Sequence, residues 1–362
     1  MDVTGSGAGK SATPAVLVIG AGIAGIAAAL RIRALNDSCA ITIADGAPRP
    51  GGKIAGDVVD GCVVDGGADV CIGSKLRATN LFDTLSLGAR AVRVNPDNLP
   101  TYELRNGVLA PSPTGFDGEL LTFRSGVREL VDVACAALRN VTVVTCAIAE
   151  SIRHAAGTGW ATTFADGTTR TDDAIIVAVP ARAAAKLLSP FALAEATRLA
   201  EITYPATTTV TMAWNAEDVG CPLDGTGYLV ADESSAVSAC TWTSSKNPTH
   251  ARGSTVLLRG YVRGCGMDAV SLVRAELAAT LGISATPLFT RVYEWPAGIP
   301  VYPPDHDANV SALGDAIAAT PGIFVAGSAF HGVGIPDCIR SGERAAESVA
   351  AYLAAVQTEE AA

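Results

Sequence analysis

The chain has 362 residues, a formal net charge of −10, and 49% hydrophobic against 17% charged residues. That apolar fraction excludes disorder over most of the length, and a chain of this size buries roughly 70–75% of the surface it exposes unfolded, in one large or two medium domains. An acidic balance without a Lys/Arg cluster lacks the electrostatic footprint of a nucleic-acid binder.

Residues 1–13 are small and polar and read as a disordered tail with no secretory core. The stretch 5–11 resembles a P-loop only superficially, because Thr4 stands at its first position and no strand precedes it. Ala15–Ile19 is a short apolar run suited to a buried parallel strand. Gly20, Gly22 and Gly25 follow, then a helix over 26–35 and a second strand, Ala40–Ala44, ending at Asp45. The apolar run 15–30 is shorter than the ~20 residues a membrane span needs. Residues 126–138 show helical spacing, 141–144 and 174–179 read as strands, and Asp166-Gly167 marks a hairpin turn. Thr- and Val-rich strands over 207–262 predict an antiparallel sheet. A helix over 268–281, strands at 291–295 and 322–326, and a last helix over 336–356 complete the chain. The nine cysteines are odd in number and form no CxxC pair, which fits reduced thiols in the cytoplasm rather than a disulfide framework or a zinc site.

The first turn carries the chemistry. A strand feeding GxGxxG into a helix aims free N–H groups and a positive dipole end at one point, where a pyrophosphate fits. Gly20 makes the turn, Gly22 admits the phosphate beside Ile23 and Ala24, and Gly25 lets helix and strand pack. Asp45, twenty residues after Gly25, is placed to accept ribose hydroxyls. The second glycine pair, Gly51-Gly52 between Arg49 and Lys53, lets another backbone loop approach the same dinucleotide, which favours FAD over a nicotinamide cofactor. Near the C-terminus Gly327-Ser328 leaves a buried strand, and Gly334-Ile335 opens the last helix, whose N-terminus would stabilise an anionic reduced flavin by roughly 0.3–2 kcal/mol.

Eight stretches together resemble the flavin amine oxidase superfamily and, within it, the protoporphyrinogen/coproporphyrinogen oxidases. They are Val18-Ile-Gly-Ala-Gly-Ile-Ala-Gly25, Arg49-Pro-Gly-Gly-Lys-Ile54, Val64-Asp-Gly-Gly-Ala-Asp69, Ala174-Ile-Ile-Val-Ala-Val-Pro180 with Ala178, Gly225-Thr-Gly-Tyr-Leu-Val230, Cys240-Thr-Trp-Thr-Ser-Ser-Lys246, residues 295–302, and Gly332-Val-Gly-Ile-Pro-Asp-Cys-Ile339. The resemblance implies non-covalent FAD, hydride transfer from substrate to flavin N5, and reoxidation by O2. It implies an α/β fold with a discontinuous Rossmann-like FAD-binding domain of glutathione-reductase type (14–70, 121–186, 310–357) and a smaller mixed or antiparallel-sheet substrate domain (71–120, 187–309). The chain departs from the pattern where relatives carry a helical insertion that roofs the substrate cavity and touches the membrane: residues 114–120 make a short connection there. An arginine used to hold a propionate is replaced by Asn98-Leu99-Pro100, and Ser328 stands where many relatives have Asp or Asn.

The expected reaction is oxidation of a small organic substrate, forming C=N or C=C, with no membrane contact and with the substrate side open to a partner protein. The alternatives are a protoporphyrinogen/coproporphyrinogen oxidase of haem synthesis and a flavin-binding partner protein without turnover. His331 is the candidate base and Tyr302 a second catalytic candidate; Trp295 and Tyr102 are candidate substrate contacts. His306, between Asp305 and Asp307, reads as part of an exposed Pro-rich loop and not as a metal ligand, and Cys338 as a residue of the last helix without a flavin bond.

Overall fold

The computed structural model describes residues 13–95, 97–113, 118–155 and 159–361. The expected tail, apart from Thr13, and residues 114–117 of the short 114–120 connection lie outside them. Strand β1 (Ala15–Ile19), helix α1 (Ile23–Leu35) and strand β2 (Ala40–Ala44) form the expected opening unit. The helix begins three residues earlier than its apolar spacing predicts, because Gly22 is extended (φ −67°, ψ 171°) and serves as its N-cap.

The central sheet has five parallel strands in the order Val141–Val144, β2, β1, Ala174–Val177, Ile323–Val325. Both faces are covered, which explains why its strands are apolar without alternation. On one face α1 packs among Val16, Val18, Ile176 and the last helix, Ile335–Ala361. On the other, Leu17, Ile19, Ile175 and Val177 meet Ala181–Leu188, Leu193–Ala200 and His306–Ala318. These cores do not follow the expected domain boundaries. Leu76, Leu81 and Leu87 pack in the core around α1, whereas Leu199 and Ile202 pack on the opposite face of the central sheet.

The second sheet has seven strands, in the order Phe289–Trp295, Thr207–Asn215, Thr255–Arg263, Val237–Trp242, Gly227–Val230, Tyr102–Arg105, Val108–Pro111. Its pairs are antiparallel except Gly227–Val230 with Tyr102–Arg105. Side chains alternate along each strand. Leu258 and Val262 therefore enter a core with Val273 and Leu277 of the helix Ala269–Leu281, while Arg259 and Tyr261 face the other way. The expected helix end at Gly282 is a left-handed cap (φ 69°).

His306 departs from its expected exposed loop. It is 6% exposed and begins the helix His306–Ala318, because Val310, Leu313 and Ile317 give that segment a buried stripe that outweighs the preceding prolines.

The closest helix contact is a glycine contact: a Cβ on Gly342 would lie 2.1 Å from the carbonyl oxygen of Ala24 in α1. Gly314, in another helix, has open space at the same position. Gly342→Ala is therefore expected to cost about 1–3 kcal/mol by overpacking and to lower the melting temperature by several degrees, whereas Gly314→Ala should add roughly 0.5–1 kcal/mol. Thermal denaturation of the two variants checks this, and equal melting would contradict the packing described.

Candidate active site

One cavity of about 790 Å³ lies between the two sheets. Its first wall is backbone. Gly20 leaves β1 with φ 114°, and a Cβ there would strike the Ala178 carbonyl at 2.4 Å. Gly22 has open space beside it, and α1 starts with neither a side-chain cap nor an acidic residue in its first turn. Its first N–H groups therefore have no partner from a capping side chain, which suits an anion. Gly51 donates to the Ala21 carbonyl at 2.8 Å, and a Cβ on Gly52 would sit 3.3 Å from Gly22 Cα, so the two glycine loops meet at backbone distance. Asp45 ties the wall together: Oδ2 accepts from Ala21 N at 2.5 Å and Oδ1 from Ala47 N at 2.7 Å. Lys53 reaches across to the Gly298 carbonyl and lies 4.4 Å from the Tyr204 ring centroid, and burial lowers its pKa.

Gly20, Gly22, Ile23, Ala24, Asp45, Gly51, Gly52, Lys53, Ala178, Gly327, Ser328, Gly334, Ile335 and Trp295 all line this cavity. Gly25 does not; its Cβ would lie 1.9 Å from the Gly20 carbonyl, so its place is the packing of turn against helix. Arg49 is also outside: its guanidinium turns to the carbonyls of Pro50 and Ile54, each at 3.4 Å.

Three further sequence candidates lie off the cavity. His331 is exposed and does not line it, since the chain turns at Gly332 (φ 111°) before the helix that does. Tyr302 braces the C-terminal turn from behind. Its hydroxyl donates to Ser328 O at 2.6 Å and accepts from Gly332 N at 3.1 Å, and its ring stacks on His306 at 3.7 Å. His306 in turn lies 2.9 Å from the Phe330 carbonyl. Burial pushes the Tyr302 phenol up to about 12, so it stays a neutral donor. Tyr102 sits in the far half of the seven-stranded sheet, bonded to Asp224 at 3.0 Å and packed on Trp242.

The facing wall holds charged groups that sequence reasoning left without roles. Lys246 Nζ is 2.7 Å from Asp69 Oδ2, and both side chains are largely buried. Burial pushes the Asp69 carboxyl up, but the charges of Lys246 and Arg259 and the Lys246 hydrogen bond outweigh it and hold Asp69 below the usual carboxylate range. Arg259, 3% exposed, donates through Nη2 to Gly66 O (3.1 Å) and Gly67 O (2.5 Å), with its guanidinium 4.8 Å from the Tyr261 ring centroid. Gly66 O also accepts from Trp295 Nε1 at 3.0 Å and Thr209 Oγ1 at 2.8 Å. The available signal was the alternation along Thr255–Arg263, which puts an arginine and a tyrosine on one face.

These residues fit FAD. The volume lies in the range of cofactor sites, roughly 300–1,000 Å³, and two glycine turns leave backbone-lined space where side chains would intrude. Cys338 also lines the cavity, with its thiol pushed by burial up to about 12, so a reactive thiolate is scarce near neutral pH. Among the described residues no His/Cys/Asp/Glu group could hold a metal ion, and no helix is long and apolar enough to cross a membrane.

The comparisons bear on the family and the fold. A family model described as flavin containing amine oxidoreductase matches residues 112–350, and one described as an NAD(P)-binding Rossmann-like domain matches 18–85. Coproporphyrinogen III oxidase of Bacillus subtilis (strain 168) is 30% identical over 247 residues, covering 65% of this chain and 52% of that protein. The Staphylococcus aureus (strain NCTC 8325 / PS 47) protein of that name is 36% identical over 156 residues, covering 40% and 34%. The matched stretches thus span about half of the first relative and a third of the second. A structure from Exiguobacterium sp. 255-15, provisionally named a protoporphyrinogen oxidase, superposes with a TM-score of 0.84 at 20% identity, over 95% of this chain and 100% of that one. Cyclohexylamine oxidase from Brevibacterium oxydans IH-35A gives 0.74 at 13% identity, over 94% and 99%, a likeness of fold. With two thirds of its length matched by the first model, the chain belongs to the flavin containing amine oxidoreductase family.

Proposed function

We propose that the chain is an FAD-dependent oxidoreductase of the cytoplasm that oxidises a small organic substrate at a C–N or C–C bond, with O2 as the final acceptor. The observation that carries this reading is a cavity with a glycine-lined backbone wall on one side and Asp69, Arg259, Tyr261 and Trp295 on the other.

Bound FAD supplies a two-electron acceptor for hydride from the substrate. The residues present do the rest. The N-terminal N–H groups of α1, with Gly51 and Gly52 opposite, would hold the pyrophosphate, and Asp45 the ribose. Gly334 and Ile335 bring the positive end of the last helix to the same cavity, where it favours developing negative charge. Trp295 and Tyr261 exclude water. Asp69 is one of two carboxylates among the described lining residues. The other, Asp45, is committed to backbone N–H groups at the dinucleotide turn. This leaves Asp69 as the proton acceptor on the substrate side, in place of His331.

A second reading, a porphyrinogen oxidase, is favoured by the names of the relatives. It would need the short 114–120 connection to do without the roofing helices, or a partner protein to cover the substrate side. Ile299 and Val333, cavity-lining and exposed, are where such a cover would rest.

Purified protein soaked in FAD and desalted is expected to be yellow, and Asp45→Ala to weaken FAD binding by about tenfold, the scale of a lost charge-assisted hydrogen bond. A colourless wild type would end the proposal. Under anaerobic conditions the yellow protein is then mixed with cyclohexylamine and, separately, coproporphyrinogen III. Bleaching by the amine supports the main reading, and rapid porphyrin fluorescence with the tetrapyrrole alone supports the second. Flavin that no compound bleaches, and that stays reduced in air after photoreduction, would argue for a binding protein without turnover. His331→Ala is expected to leave the bleaching rate unchanged at every pH, and a loss of rate would return His331 to the mechanism.

A further inference from the structure

Behind the wall that carries Asp69 lies a buried pair that the chemistry above leaves unused. Asp65 is 6% exposed and His250 1%, and Asp65 Oδ2 and His250 Nδ1 face each other 3.7 Å apart. The other atom of each is committed. Asp65 Oδ1 accepts from Val127 N at 2.8 Å. His250 Nε2 lies 3.2 Å from the Phe123 carbonyl. A carbonyl only accepts, so Nε2 carries the hydrogen and Nδ1 of the neutral ring presents a bare lone pair. With Asp65 ionised, two acceptors therefore face each other, and among the described residues neither has a hydrogen-bond partner. One proton on either atom converts that opposition into a hydrogen bond. A second would add positive charge beside Lys246, whose field already disfavours charge on His250.

We propose that Asp65 and His250 form a one-proton site which receives, by way of Asp69, the proton that leaves the substrate during its oxidation. The inference rests on the oxidoreductase reading above. The substrate C–H bond breaks with its electron pair leaving as hydride to the bound flavin. The adjacent N–H bond gives its proton to Asp69 and keeps its electron pair, which forms the new double bond. The proton passes from Asp69 to the space between Asp65 Oδ2 and His250 Nδ1 and returns to solvent; in the overall balance O2 takes up the hydride and one proton from solvent and leaves as hydrogen peroxide. Neither Asp65 nor His250 lines the cavity, so both act through Asp69 as positioning residues.

The surroundings suit such a site. Burial first, and the Asp69 charge second, push the Asp65 carboxyl up to about 7, against the lowering effects of Arg259, the Val127 hydrogen bond and Lys246. Burial holds His250 below the usual imidazole range. Cys71, another titratable neighbour, is pushed by burial up to about 12 and stays a neutral thiol. These surroundings bring uptake of the one proton into the neutral range.

Asp65→Asn is the informative variant, because asparagine keeps the Oδ1 acceptor for Val127 and turns a permanent N–H toward His250 Nδ1, imitating the filled site. Two measurements on FAD-loaded protein decide. In histidine-15N NMR, with four histidines in the chain, the wild-type His250 Nδ1 resonance is expected to shift with a midpoint near neutral pH and to be pH-independent in Asp65→Asn. In anaerobic stopped flow with cyclohexylamine, or with coproporphyrinogen III should that be the compound that bleaches the flavin, the ratio of wild-type to Asp65→Asn bleaching rates at each pH, in which the substrate's own protonation cancels, should fall about tenfold from about pH 8 to about pH 6, as the ionised fraction of a group titrating near neutrality falls. Asp65→Asn by itself should follow only the protonation of the substrate. His250→Gln, which offers Asp65 Oδ2 an amide N–H in place of a bare acceptor, should stabilise the ionised carboxylate and move the midpoint to lower pH, and serves where Asp65→Asn does not fold. A His250 Nδ1 that is silent or protonated throughout, or a variant that keeps the wild-type pH profile, overturns the relay while leaving the oxidation reading intact. Yellow protein that neither compound bleaches overturns both.

Discussion

The carbonyl of Gly66 holds the two halves of the molecule in register. Trp295, Thr209 and Arg259, from three adjacent strands of the large sheet, all donate to it. The two glycines there have no substitute. A Cβ on Gly66 would meet the Tyr293 ring at 2.5 Å, and one on Gly67 would meet the Lys53 carbonyl at 2.0 Å. The loop is therefore pressed between the second glycine turn and the sheet, and the distance between backbone wall and charged wall follows from that contact. A buried carbonyl with three donors is well satisfied, and well-satisfied buried polar groups specify one arrangement rather than many.

The same contact sets the electrostatics. Arg259 is drawn to Gly66 and Gly67, which brings its charge close enough to be felt by both Asp65 and Asp69. Lys246 pairs with Asp69. The carboxylate at the cavity is thereby kept ionised, and the one behind it is left with a raised proton affinity. Two carboxylates four residues apart are driven to opposite protonation behaviour, one by burial and its neighbour's charge, the other by the charges of Lys246 and Arg259.

The dinucleotide half was legible in the sequence because its signals are local. An apolar strand, three glycines at fixed spacing and an acid at the end of the next strand need no knowledge of the rest of the fold, and Asp45 stands at the turn where that spacing put it. The substrate half was not legible in the same way. His331, Tyr302 and Arg49 are neighbours in sequence of cavity residues, but side-chain direction at a turn depends on the φ of the next residue, and Gly332 turns His331 away. Tyr102 lies in the right sheet but on a distant strand. The prolines before His306 outweighed, in a local reading, the helical spacing of Val310, Leu313 and Ile317. Asp65, Asp69, Lys246, His250 and Arg259 come together only through sheet pairing between segments far apart in the chain, so no window of sequence contains them.

The strand order carries a last consequence. The central sheet places Ile323–Val325 beside Ala174–Val177 and two positions from β1, and the final helix lies against α1. A nascent polypeptide emerging from the ribosome therefore exposes the bare, apolar flank of its opening unit until the strand Ile323–Val325 and the helix Ile335–Ala361 have been made, since contacts between distant segments form late. The prosthetic group has no complete binding site before then. Cofactor capture therefore waits on residues 327–338 as much as on the opening turn, although about three hundred residues separate the two.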